Sequence, residues 1–182
     1  MVEARLLQVR MVRRSLADVP QFPLPAGFTL RRYRPGDVET WVRIEQAADR
    51  HLTGHREIHK REFAAHETLL GARQLFLCEP GGEGIGTATA WFGDHDGEPC
   101  GRVHWMAIVP EWQGKGLGKP LLTALCNRLR ELGHTRAYLI TETVRVPAIK
   151  LYLKFGFVPD IRGDADRAAW QDVQRRGLEI DV

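Results

Sequence analysis

The sequence predicts an α/β domain, a mixed β-sheet flanked by helices on both faces, and three observations predict it. A strand, a glycine-rich turn and the start of a helix follow one another across residues 103–122. A second apolar strand, residues 136–141, comes after that helix, which supplies the crossover that parallel pairing demands. Upstream, residues 74–79, 85–92 and 102–109 are apolar runs separated by turns rich in Pro, Gly and Asp, as in an antiparallel meander.

At 182 residues the chain fits one domain large enough to bury a single core. Charged residues at 27% and hydrophobic ones at 43% are ordinary for a globular protein, and no apolar run has the length needed to cross a bilayer, so no membrane partner is expected. Residues 1–14 mix Arg with Leu and Val and lack the apolar core of a secretory signal, so a cytoplasmic location is expected. Cys78, Cys100 and Cys126 are widely spaced and form no Cys-x-x-Cys pair, which predicts reduced, core-filling thiols. The formal charge of +3 is spread over scattered Arg pairs rather than one block, so nucleic acid is not an expected partner. A homodimer is compatible with the sequence, which does not specify one.

In chain order, residues 1–27 read as an N-terminal arm packed on the domain. Pro20, Pro23 and Pro25 leave room for only a short strand, at residues 6–12. The main domain is expected over residues 28–162. It opens with an alternating strand at 28–33, and Asp37 then caps a helix in which Val38, Trp41, Val42 and Ile44 face the core, with Glu45 at nearly the same spacing. His51, His55 and His59 fall four apart, but Gly54 interrupts the helix and Arg56 stands where a metalloprotease helix needs Glu. No metal is expected. This region reads instead as a helix-loop-helix. Residues 93–99 read as a turn whose acidic residues are solvated, because the spacing of a calcium loop is missing.

After the glycine turn, Leu121, Leu122, Leu125, Leu129 and Leu132 line one side of a helix that Gly133 ends. Pro147 opens another helix with Ala148, Leu151, Tyr152 and Phe155 on one side, and Gly156 closes it. A tail, residues 163–182, contains an amphipathic piece around Trp170 and Val173.

The glycine turn predicts a phosphate site. Glycines free the main chain to take unusual dihedrals and bare its N–H groups to a ligand, and the helix behind adds partial positive charge. Lys115 and Lys119 add full charges. Two known patterns fail. The nucleotide P-loop needs a glycine five residues before its Gly-Lys pair and a hydroxyl after it, but Gln113 and Pro120 occupy those places. The dinucleotide fingerprint spaces its last two glycines by three, whereas Gly114, Gly116 and Gly118 are spaced by two. What remains is Gln-x-x-Gly-x-Gly, at Gln113, Gly116 and Gly118.

That pattern, after a strand ending in Val109-Pro110, resembles the acyl-CoA loop of the GNAT superfamily of N-acetyltransferases. Ala148, Leu151, Tyr152, Gly156 and Phe157 are similar to that family's Ala-x-x-Leu-Tyr-x-x-x-Gly-Phe segment. The resemblance implies a sheet splayed at its centre, with the pantetheine arm and thioester oxygen held near Ile108 and Val109. It implies that Gln113, Gly114, Lys115, Gly116, Leu117, Gly118 and Lys119 bind the pyrophosphate of acetyl-CoA, and that Tyr152 protonates the departing sulfur. Where the family often has Asn, this chain has Arg145, which is expected to reach a CoA phosphate, and the resemblance implies that the helix-loop-helix around residues 51–59 covers the acceptor pocket, with His51, His55 and Glu57 as candidate contacts.

The reaction implied is acetyl transfer from acetyl-CoA to a primary amine by direct attack, on a small-molecule or peptide acceptor. Two groups are candidate bases. His104, placed by strand alternation on the same side as Met106 and Ile108, has a suitable ordinary pKa near 6.5. Glu142, at the end of the following strand, is the other. The rival readings are a non-catalytic acyl-CoA sensor and an unrelated nucleotide-binding protein, the latter disfavoured by the missing Mg²⁺ ligand.

Overall fold

The structure, a computed structural model, describes residues 7–49 and 51–180. The predicted arm's residues 1–6, with the start of its strand, lie outside the described residues, as do residues 181 and 182 of the tail.

Seven strands form one mixed sheet: β1 (Gln8–Arg13), β2 (Thr29–Arg32), β3 (Gln74–Cys78), β4 (Gly84–His95), β5 (Glu98–Ile108), β6 (Ala137–Glu142) and β7 (Val158–Pro159). Their order is β2-β3-β4-β5-β6-β1-β7, antiparallel throughout except for β5 and β6. The helices are α1 (Val38–Ala48), α2 (His55–Phe63), the single turn α3 (Leu70–Arg73), α4 (Gly118–Glu131), α5 (Val146–Lys154) and α6 (Asp164–Arg175).

The helices cover both faces. Gly101 on β5 abuts Leu129 of α4, while His104, on the opposite side of the same strand, bonds Glu62 of α2. The core runs through both layers and includes the fully buried Trp41, Phe63, Phe76 and Trp170.

Within the N-terminal segment, Gln8–Arg13 is not a wrapping strand but an interior one. It pairs with β6 over six residues and with β7 on its other side. Arg13 extends the tie, donating to the carbonyls of Phe155 and Asp18. The tail adds α6, whose Trp170 and Val173 are buried and which packs on β1.

The β4–β5 hairpin is longer than the sequence suggested. Its turn is only Asp96-Gly97, both at positive φ (61° and 75°), the geometry that matches the twist of the flanking strands. All three cysteines are free and buried, and burial pushes the Cys126 thiol up to about 12.

Candidate active site

The site begins where the central strands part. Parallel pairing between β5 and β6 is confined to Gly101 with Ala137 and Arg102 with Tyr138. On its other edge β5 carries a bulge, since the register with β4 shifts between Thr87 and Thr89, so that Ala88 faces both Trp105 and Met106. A bulge bends its strand and interrupts the ladder. Here it lies just beyond the last paired residue, while β1 keeps β6 paired over its whole length. Trp105 sits in the bulge at φ 45°, a conformation that costs a bulky residue energy and is held by surrounding packing, including an edge contact with Trp41 at 5.3 Å.

The bulge also breaks the alternation used to place His104. Thr89 faces His104 and Thr87 faces Ala107, and these two threonines share a side of β4. His104 therefore lies on the side of Ala107, and Ile108, opposite Gly86, lies on the other.

Beyond β5 the chain turns through a short 3-10 segment, Pro110–Trp112, into the glycine loop. Gly114 and Gly116 have φ of 74° and 81°, the left-handed region that disfavours side chains, and an added Cβ at either would meet nothing within 4 Å. Their role is conformational. Gly118 begins α4, which has no side-chain cap. Among the described residues, the amides of Gly114, Lys115, Gly116 and Leu117 donate to no backbone carbonyl, so they and the first α4 amides form an uncommitted set of donors. Lys115 and Lys119 line neither of the cavities beside the loop, and their ammonium groups lie 4.4 Å from the Trp112 ring and 5.3 Å from the Phe22 ring.

Two cavities meet at the splay. The first, about 550 Å³, is lined by Ile108, Gln113, Gly114, Gly116, Leu117 and Gly118 together with α5. The second, about 380 Å³, lies towards α1 and α2 and is lined by Glu45, Glu62, Arg102, His104 and Trp105 among others. Both share Asp49, Met106, Glu142, Arg145, Ala148 and Tyr152. Tyr152 thus stands at the junction. It is buried, and that burial pushes its phenol up to about 12, with Arg145 pulling in the opposite direction.

The structure brings together most of the residues singled out from sequence and sets others aside. Val109 is buried and its main chain is engaged, its N–H donating to the Ile85 carbonyl and its own carbonyl accepting from Trp112. Gln113 donates to the Ile108 carbonyl at 2.7 Å, so it braces the loop against β5. Arg145 lies between two carboxylates, Glu142 at 2.9 Å and Asp49 at 2.5 Å. It ties α1 to the end of β6 as well as lining both cavities. On the cover, His55 and His59 are buried on α2, and Glu57 and His51 are exposed, with only His51 lining the first cavity.

His104 lines the second cavity, with Nε2 3.1 Å from a Glu62 oxygen. Burial holds the imidazole below its usual pKa despite that partner, which favours a neutral ring donating through Nε2–H. The same hydrogen bond holds Glu62 as a carboxylate, down to about 2.

Glu45 is the functional candidate that sequence reasoning missed. It lines the second cavity at 4% exposure, Oε1 has no hydrogen-bond partner, and burial, opposed by Arg145 and reinforced by Asp49, pushes its carboxyl up to about 8. The signal was present: Val38, Trp41 and Glu45 follow helical spacing, which places a carboxylate on a core-facing stripe.

Comparison with known proteins agrees with this geometry. The family model described as "Acetyltransferase (GNAT) family" matches residues 38–157. A mycothiol acetyltransferase of Pseudarthrobacter chlorophenolicus is 33% identical over 147 residues, covering 78% of this chain and 46% of that protein. One from Streptomyces coelicolor is 32% identical over 156 residues, covering 83% and 50%. The chain spans about half the length of the curated relatives it matches. Among solved structures, a GCN5-related N-acetyltransferase from Sphaerobacter thermophilus superposes with a TM-score of 0.68 at 20% identity, covering 86% of this chain and 50% of that one. The splayed strands and uncapped glycine loop therefore sit in a known framework: the chain belongs to the acetyltransferase (GNAT) family.

Proposed function

We propose that this domain transfers an acetyl group from acetyl-CoA to a primary amine by direct attack. The observation that carries the reading is the meeting of two cavities at the splay, with Tyr152 lining both. One cavity opens on uncommitted amides and suits an anionic carrier, and the other is lined by ionisable groups and suits an acceptor. In this reading the amides of residues 114–119 hold the diphosphate, and Lys115 and Lys119 add positive charge on the same loop. The gap beside Met106, Ala107 and Ile108 takes the pantetheine arm, and main-chain N–H groups there stabilise the oxyanion. Val109 supports that strand end rather than contacting the carrier.

The amine attacks the thioester carbon, the carbon–sulfur bond breaks, and sulfur leaves as a thiolate that takes a proton from Tyr152. The amine's own proton passes to a group on the acceptor side. Glu142 has a carboxylate oxygen already engaged by Arg145 at 2.9 Å. His104 keeps one nitrogen for Glu62. Glu45, which lines the acceptor cavity and has a buried, unpartnered oxygen and a pKa near the operating range, fits the role best.

The test is thiol release from acetyl-CoA across a panel of amine classes. Amine-dependent release with matching N-acetyl product is expected. Tight acetyl-CoA binding with no release by any amine would favour a non-catalytic sensor instead.

A further inference from the structure

The second cavity holds three guanidinium groups, and two are matched. Arg145 lies between Asp49 and Glu142, and Arg61 is 3.4 Å from Glu62. Arg102 is different. Among the described residues it makes no ion pair, and its buried Nε has no hydrogen-bond partner. Among the described residues it meets only the Tyr138 ring, 5.8 Å from the guanidinium carbon to the centroid, near the outer limit of a cation–π contact. The buried Nε–H has given up water without a partner, which is costly, and the fork's two terminal nitrogens are left open to the cavity with no carboxylate to hold. A carboxylate or phosphate monoester is the group that fork fits.

Position along the strand adds a length. Arg102 is the last residue of β5 paired to β6, whereas Met106, four residues on, lines both cavities at the splay. Because the bulge sets these four steps against three on β4, that separation is roughly 10 Å. The end of the cavity beside Tyr152 takes the amine in the acetyl-transfer reading, so the unmatched cation lies well away from the reacting nitrogen.

We propose that the acceptor is an amine carrying an anionic group, carboxylate or phosphate monoester, several bonds from its nitrogen, and that Arg102 receives that anion. This rests on the acetyl-transfer reading and narrows it to a substrate class. Free α-amino acids, with both charges on one carbon, are too short to span the two ends.

The test compares kcat/KM for acetyl transfer to ω-amino carboxylates and aminoalkyl phosphates of increasing chain length with their neutral amide and alcohol counterparts. The native domain is expected to favour the better anion class about 10- to 100-fold, the range of one charge-assisted pair. In Arg102→Gln and Arg102→Met that ratio is expected to fall to within about threefold. Unchanged acetyl-CoA affinity by calorimetry would show that these variants fold. Equal use of charged and neutral acceptors by the native domain, or a preference that survives both substitutions, overturns the inference and leaves acetyl transfer standing. If no amine raises thiol release, acetyl transfer itself fails and the inference falls with it.

Discussion

Replacing Tyr152 with Phe removes one oxygen and little else. The ring keeps its place beside Phe157, 6.1 Å away between centroids, so stability is expected to change by less than about 1 kcal/mol. Turnover should change more. Without the phenol, the leaving thiolate must take its proton from water, whose pKa is about 15.7, against about 12 for the buried phenol. With roughly half of that difference expressed in the transition state, the barrier rises by about 2–3 kcal/mol, a loss near 10²-fold in kcat. The assay is stopped-flow thiol release at saturating acetyl-CoA, with cofactor affinity measured separately by calorimetry. A kcat within about threefold of the native value, at unchanged affinity, would remove Tyr152 from proton transfer.

Glu45 offers a prediction on stability. Its folded pKa, about 8, lies above the ordinary carboxylate value of 4.5, so between those limits the unfolded chain binds fewer protons than the folded one. The stabilisation is full below about pH 4.5 and is lost as pH rises through about 8, by a few kcal/mol in all. Glu45→Gln should therefore become progressively more stable than the native domain over that window in thermal melts, and should lose the kcat/KM limb near pH 8. Parallel melting curves across the window would contradict the assignment. His104→Ala should lower kcat/KM modestly and leave that limb in place, because the limb is assigned to Glu45; a variant that lost it would transfer the role to His104. Gly116→Ala forces a side chain into φ 81° with nothing to clash against, so the cost of about 1–2 kcal/mol should appear as weaker acetyl-CoA binding by calorimetry.

Much of this fold was legible because periodicity and punctuation coincide. The strand at residues 136–141, the Leu stripe of α4 and the Pro147 and Gly156 boundaries of α5 all appear where apolar spacing and turn residues put them. The interior position of β1 was not legible, because pairing order is set by contacts between residues more than a hundred positions apart, such as Arg10 with Ile140. The bulge at Trp105 was hidden too, since no glycine marks it, and it reversed the side assigned to Ile108 relative to His104. The glycine loop and Tyr152 could be read from local spacing. The charges around them could not: Arg145 is neutralised by Asp49, almost a hundred residues earlier, and the buried state of Glu45 follows from how α1 lies on the splay.

The most direct measurement is a calorimetric titration of the domain with acetyl-CoA beside acetyl-pantetheine, which lacks the diphosphate. Binding of one acetyl-CoA per chain, at least about tenfold tighter than acetyl-pantetheine, is predicted, because the amides of residues 114–119 act only on the former. Equal affinity for the two, or no heat from acetyl-CoA at millimolar concentration, would contradict it.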